Sequence, residues 1–296
     1  MDKDVDDEVL RRIGKLRKLR RLSLRCSRLP NAGLRHLTGL GCLEELILSH
    51  TNVSDAGLVH VGRLANLRSL TLGPSDVSDA GLGHLEGLSE LRSIHLSWTK
   101  VTGKGLVHLR PLAKLQEVVL QETHVGDEAM QHLSRLTDLQ WLHLSQTQVG
   151  SAGVAQLKNL TKLRELNLTD TRVGDAGIAQ LKLLPNLRDL WITHTDVTAA
   201  GFRDLQQALP KCNIDFEEWD LPGGADDARV RKIAERMRQL GYYKFVGLAN
   251  SEITDAALSE LHDLTSLQLI DLRNTQVSDE AVEALQQALP DCVIQR

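Results

Sequence analysis

Apolar residues recur along this chain at a fixed interval of 24. Leu19, Leu43, Leu67, Leu91, Leu115, Leu139, Leu163 and Leu187 each open a unit reading L-x-x-L-x-L-x-x-T-x-V-x-D-A-G-L-x-x-L-x-x-L. The second unit is representative, with Leu43, Leu46, Leu48, Thr51, Val53, Asp55, Ala56, Gly57, Leu58, Val61 and Leu64 on the pattern. Two more units follow an interruption, opening at Tyr243 and Leu267. A period in the twenties predicts a solenoid, because one unit cannot bury its apolar side alone and must stack on its neighbours. Within each unit the spacing changes. Alternation through L-x-L predicts a short strand, with Leu46 and Leu48 inward and their neighbours outward. The spacing of three through Leu58, Val61 and Leu64 predicts a short helix on the other side. The expected fold is α/β, with a concave parallel sheet and short convex α-helices.

The polar positions are equally regular. Thr51, Thr99, Thr123, Thr147, Thr171, Thr195 and Thr275 close the turn after the strand, with Ser75 and Ser251 as variants. A hydroxyl there can bond backbone groups that would otherwise be buried unpaired. Ser54, Ser78, Thr102, Thr198, Thr254 and Ser278 stand as helix N-caps, and the acid that often follows suits the first turn of a helix. The glycine of D-A-G-L becomes Ala129, Ala257 or Ala281 in other units, so the place demands a small side chain and not a positive φ.

The ends read as caps. Leu10, Ile13 and Leu16 extend the helix stripe one period upstream, which predicts an amphipathic cap helix over 5–18 within an N-terminal segment 1–18. Units one to eight fill 19–216 and finish in Leu205-Gln-Gln-Ala-Leu-Pro-Lys-Cys-Asn-Ile214. Units nine and ten fill 243–296 and finish in the near-identical Leu285-Gln-Gln-Ala-Leu-Pro-Asp-Cys-Val-Ile294. Each reads as a longer helix, a Pro stop and a last strand. The intervening 217–242 reads as a loop followed by a helix with Val230, Ile233, Met237 and Leu240 on one face. The two blocks form either one continuous horseshoe with an irregular joint, which is the expectation taken, or two arrays with a hinge.

These ten registered units resemble the leucine-rich repeat family from Leu10 to Ile294. The S/T-D-A-G-L-x-x-L half is similar to the helical bacterial type, and to the cysteine-containing class with Thr in place of Cys. The resemblance implies protein binding on the concave face.

Composition narrows the function classes. A net charge of −4 and only 3% aromatic residues describe an aliphatic core without the basic character of a general nucleic-acid binder. The basic run Arg11, Arg12, Lys15, Arg17, Lys18, Arg20, Arg21, Arg25 and Arg28 reads as the solvated face of the cap. No stretch is apolar enough for a signal peptide or a membrane span. The four cysteines, Cys26, Cys42, Cys212 and Cys292, read as free thiols of a reducing compartment, so a cytoplasmic location is expected.

No nucleophile elbow, H-E-x-x-H or phosphate loop is present, so neither catalysis nor a cofactor is expected. His36, His60, His84, His108 and His132 hold one helix position in five successive units, with Gln156 and Gln180 following. Without further ligand spacing this ladder reads as a stacked, partly exposed row and not as a metal site. Function is sought instead where the repeat leaves positions free. Trp141 holds the third position of its unit, Trp191 the fifth and Trp98 the eighth; third, fifth and seventh positions face out from the sheet and the eighth lies at its rim. His95, His143, Glu117, Gln121, Glu165 and Asp189 share that surface, with Val119 and Asn167. Exposed Trp is costly unless it meets something, and Trp anchors dominate interfaces. The expected function is non-catalytic recognition of a protein partner on this acidic, aromatic patch. A substrate-recognition part in ubiquitin ligation, as in some bacterial effectors, and a self-associating surface stay open as alternatives.

Overall fold

The structure is a computed structural model that describes residues 3–216, 226–240, 245–249 and 251–296. The chain divides into two compact units, 1–216 and 217–296. The stretch 217–225, where a continuous or a hinged joint would be decided, lies outside the described residues, as does Trp219.

In the first unit nine strands run parallel in strict sequence order, from Arg21–Ser23 to Asn213–Asp215. Each registers on the next at an offset of 24, as in Glu117 opposite Trp141 and Val119 opposite His143. The sixth repeat shows how one layer fills. Leu139, Leu142, Leu144, Val149, Val154, Leu157 and Leu160 are all fully buried, with the strand supplying the first three and the helical side the last three. Burying each such side chain contributes about 1.5–3 kcal/mol. The second unit repeats this on a smaller scale, with three parallel strands, Phe245–Gly247, Leu269–Asp271 and Val293–Gln295. Its helix Asp227–Leu240 buries Val230, Ile233 and Met237 against Leu258 and Leu261. Both terminator segments belong to longer helices, Ala199–Ala208 and Asp279–Ala288, of ten residues each and each followed by a strand.

The convex side is more varied than the pattern predicts. Asp55–Val61 is an α-helix, whereas Asn31–Gly39 and Gly105–Leu109 are tighter 3-10 turns, and other repeats join one turn of each. A segment this short is set by neighbour packing and not by helix propagation. The N-terminal cap helix is also shorter than 5–18. It spans Asp7–Ile13, capped by the Asp6 carboxylate on the Val9 N–H. Leu10 seals the first layer, but Leu16 lies beyond the helix at 55% exposure and takes no part in the stripe. The residues Lys3–Asp4 add a strand beside Ser27–Arg28, where later repeats make single parallel bridges between the same segments, as Ser54 with Asp76.

Two recurring contacts define the stacking. The turn threonine donates its hydroxyl to the carbonyl three residues back: Thr51 to Leu48, Thr99 to Leu96, Thr147 to Leu144, at 2.6 Å in each. The helix-start aspartate does more than interact with its own helix. The Asp79 carboxylate reaches into the next repeat, accepting from the Thr102 N–H at 2.7 Å and the Thr102 hydroxyl at 2.6 Å. Asp55 does the same to Ser78, Asp175 to Thr198 and Asp255 to Ser278. This strut explains the small residue three places after the receiving hydroxyl. A Cβ on Gly105 would lie 2.3 Å from the Asp79 Oδ1 and 2.9 Å from its Cα. Where Gly103 replaces the aspartate, the next repeat has Gly126 in place of the hydroxyl and Ala129 in place of glycine.

The histidine row sits between these helical segments. The Nδ1 atoms of His60 and His132 are buried without a partner, while His36 meets Asp7 at 2.9 Å and His108 meets Glu86 at 2.6 Å. Burial first, then Arg63 and Arg35 for His60, and Arg110 and Arg135 for His132, hold both rings below the usual histidine pKa. A depressed folded pKa means the unfolded chain binds protons more readily, so stability is lost as pH falls from about 6.5 towards the folded values. Replacing both by glutamine, the residue of later repeats at this place, is expected to flatten that loss. Urea midpoints at pH 7.5 and pH 5 check it; an unchanged acid slope would mean these two rings do not cause it.

Candidate functional site

The concave face of repeats four to eight is assembled by the strands Ser93–His95, Glu117–Val119, Trp141–His143, Glu165–Asn167 and Asp189–Trp191. Register aligns their third positions as Ser93, Glu117, Trp141, Glu165 and Asp189, and their fifth as His95, Val119, His143, Asn167 and Trp191. The middle residue of each strand is an inward aliphatic, Ile94, Val118, Leu142, Leu166 or Leu190, fully buried. Adjacent strands lie about 4.8 Å apart, so the outward side chains can touch across repeats.

They do so in three groups. Glu117 accepts from Ser93 at 2.6 Å and faces His95 at 3.2 Å. The His95 contact, with Ser93 assisting against partial burial, pushes the Glu117 carboxyl down to about 2, so it stays charged throughout the neutral range. Trp141 donates its indole N–H to Glu165 Oε1 at 2.9 Å. His143 lies beside Trp191, ring centroids 6.3 Å apart and tilted by 30°. Burial lowers the His143 pKa, an effect partly opposed by Glu165 and Glu117. Asp189 takes a longer contact from Asn213 at 3.3 Å. Trp141, Trp191, Glu117, Glu165 and Asp189 are all half-buried.

Trp98 stands apart from this patch. It follows its strand by three residues, is 53% exposed, and has φ of 58°. Its left-handed backbone is a property of the eighth position. Cys26, His50, Glu122, Gln146, Asp170, His194 and Asn274 share it, with φ between 52° and 56°. The bend turns the chain out of the sheet while keeping the ladder: Trp98 N–H still bonds Gln121 O, and Glu122 N–H bonds Ser145 O. A non-glycine residue held there costs roughly 1–2 kcal/mol, and its side chain projects at the rim. Gln121, at a seventh position, is half-buried, and equivalent Ser145 and Thr193 are buried, so seventh positions face out less than alternation predicts.

The bent rim also frames a polar groove of 710 Å³ across repeats five to eight, lined by Glu122, His124, Gln146, Gln148, Asp170 and Arg172. His194 and Asp170 meet there at 3.0 Å. Sequence reasoning passed over this groove. The available signal was the run of varied polar residues at eighth and tenth positions, which the repeat leaves unconstrained.

Four residues of the basic run at the N-terminal end form ion pairs within the chain. Arg11 and Arg12 pair with Glu8, Arg20 with Glu44, and Arg21 with Glu45. Arg21 lies on the open edge strand of the sheet, where charge opposes edge-to-edge pairing. All four cysteines are free thiols. Among the described residues, no helix is long and apolar enough to cross a membrane.

The sequence model described as Leucine Rich repeat matches residues 42–61 and 159–181. No curated protein matches this chain in sequence. Among solved structures, the chain is similar to an internalin from Listeria monocytogenes, with a TM-score of 0.58 at 19% identity, covering 96% of this chain and 82% of that one. An internalin C2 of the same species gives 0.51 at 23% identity over 62% of this chain and 74% of that one. The ectodomain of a plant membrane receptor kinase from Arabidopsis thaliana, solved in complex with CASPARIAN STRIP INTEGRITY FACTOR 2, gives 0.56 at 16% identity over 100% of this chain and 48% of that one. At these identities the likeness is one of fold.

Proposed function

We propose that this chain, whose fold and repeat pattern are those of leucine-rich repeat proteins, is a non-catalytic recognition scaffold that binds a protein partner through the concave face of repeats four to eight. The observation that carries this reading is the pair of half-buried indoles, Trp141 and Trp191, at outward strand positions where the fold needs no aromatic ring. Neighbouring repeats place Ser69, Ser93, Thr71 and Asn167 at the same two positions, so stacking does not select tryptophan there. The sheet beneath is fully packed and rigid, which limits the ordering entropy that binding costs. His95, His143, Glu117, Gln121, Glu165 and Asp189 set the chemistry of the surface, and Trp98 extends it to the rim. With four free thiols the scaffold suits a reducing compartment, and the reading places it in the cytoplasm.

The test is affinity capture from lysate of the source organism, read by mass spectrometry, with this chain beside a variant carrying Trp98→Ala, Trp141→Ala and Trp191→Ala. A protein retained by the parent and lost from the folded variant supports the reading. Equal capture by both sinks it and turns attention to the rim groove or the convex side.

A further inference from the structure

We propose that the surface formed by Trp141, Glu165, Asp189 and Trp191 is an arginine-binding site, filled by an arginine side chain of the partner; this rests on the concave-face reading above. Five other acidic side chains on the sheet and at its entry have basic partners within the chain. Glu44 has Arg20, Glu45 has Arg21, Glu117 has His95, Glu90 has Lys114 and Asp138 has Lys162. Glu165 and Asp189 are directly opposite one another on adjacent strands and neither forms an ion pair among the described residues. Like charges facing across a strand pair are destabilising, and this pair lacks the basic partner that the other five possess. Arg164 and Arg188 come one residue earlier, at the entry to the strands, and form no ion pair with either.

The local hydrogen bonding leaves the right atoms open. Glu165 commits Oε1 to the Trp141 indole, which orients the carboxylate and leaves Oε2 without a hydrogen bond among the described residues. Asp189 is engaged at Oδ1 only, by Asn213 at 3.3 Å. Two carboxylate oxygens on neighbouring strands match the forked donors of a guanidinium. Flanking them, Trp141 faces Glu165 from the adjacent strand, and Trp191 stands two residues beyond Asp189 on its own strand, with His143 beside its ring across Asn167. The two indoles therefore border the carboxylate pair diagonally. A guanidinium stacks on indole and bonds bidentately, which an ammonium does not. Burial of His143, beside Trp191, disfavours a competing positive charge there.

The probe is acetylated hexa-arginine amide, titrated into the full chain at about 0.15 M salt, where the Debye length is about 8 Å, and followed by tryptophan fluorescence and calorimetry. Hexa-lysine and hexa-glutamate serve as comparisons. Saturable binding of hexa-arginine at least tenfold tighter than hexa-lysine is expected, lost at least tenfold in Glu165→Gln and in Trp191→Phe. Glu44→Gln, a carboxylate away from this face, is expected to change it less than twofold. Circular dichroism confirms folding, and Glu165→Gln decides alone should the aromatic variant unfold. No binding to the parent, equal binding of hexa-lysine, or equal binding by Glu165→Gln overturns the arginine site. If a captured protein is still lost from the triple Trp variant in that event, concave-face recognition stands without it.

Discussion

Gly105→Val is expected to lower the unfolding free energy by about 3 kcal/mol, near the upper end for overpacking a filled site. No repeat places a side chain larger than alanine there. The new Cβ alone falls 2.3 Å from Asp79 Oδ1 and 2.9 Å from Asp79 Cα, so the carboxylate must leave Thr102 or the two repeats must separate. Leaving the Thr102 N–H without its charged acceptor adds a desolvation cost of about 1–3 kcal/mol. Alanine is gentler. The second unit tolerates Ala257 and Ala281 beside the struts of Asp227 and Asp255. Chain-internal precedent also supplies the rescue. Gly103 removes the strut and Ala129 occupies the place it vacates, so Asp79→Gly combined with Gly105→Val should cost less than the sum of the two single changes. A double-mutant cycle by urea denaturation reads the coupling. Strict additivity would show that the strut and the small residue are unrelated.

Trp141→Ala and Trp191→Ala are each expected to weaken the captured partner about 30-fold, the effect of a 2 kcal/mol anchor, with little change in fold stability. Both indoles sit on the outer side of strands whose inner residues, Leu142 and Leu190, hold the layer together. Trp141→Phe separates two roles, because it keeps a ring and removes the N–H that holds Glu165. A loss close to that of alanine would assign the anchor to the oriented carboxylate; near-parent binding would assign it to the ring face. Trp98→Ala is the internal comparison. It removes an exposed ring from a left-handed turn, so a binding loss there would extend the footprint from the sheet to the rim. Surface plasmon resonance with the purified partner gives all four values.

The division between what was readable and what was not follows the range of the interactions. A 24-residue recurrence of leucines fixes strand, turn, helix side and stacking order, because each repeat can satisfy its apolar side in one way only. The terminators were legible for the same reason: Leu205 to Ile214 and Leu285 to Ile294 carry the same helix, proline stop and strand. Outward positions were legible too, and with them the addresses of Trp141 and Trp191. Three features required the folded chain. The cap helix stops at Ile13 and leaves Leu16 exposed, ending at Gly14 as the equally long Asp55–Val61 ends at Gly62, each glycine packed against the histidine carbonyl of the next repeat. The helix-start aspartate serves the next repeat, a contact 23 residues away that local capping rules do not anticipate. Trp98 is separated from the other indoles by a left-handed bend shared by Cys26, Glu122 and His194, residue types with no common propensity; the inter-repeat hydrogen bonds impose it. Sequence determines the periodic element, because burial repeats with it. Tertiary structure alone decides which free side chains meet, because pairs such as Trp141 with Glu165 depend on register between strands and not on either residue's own preference.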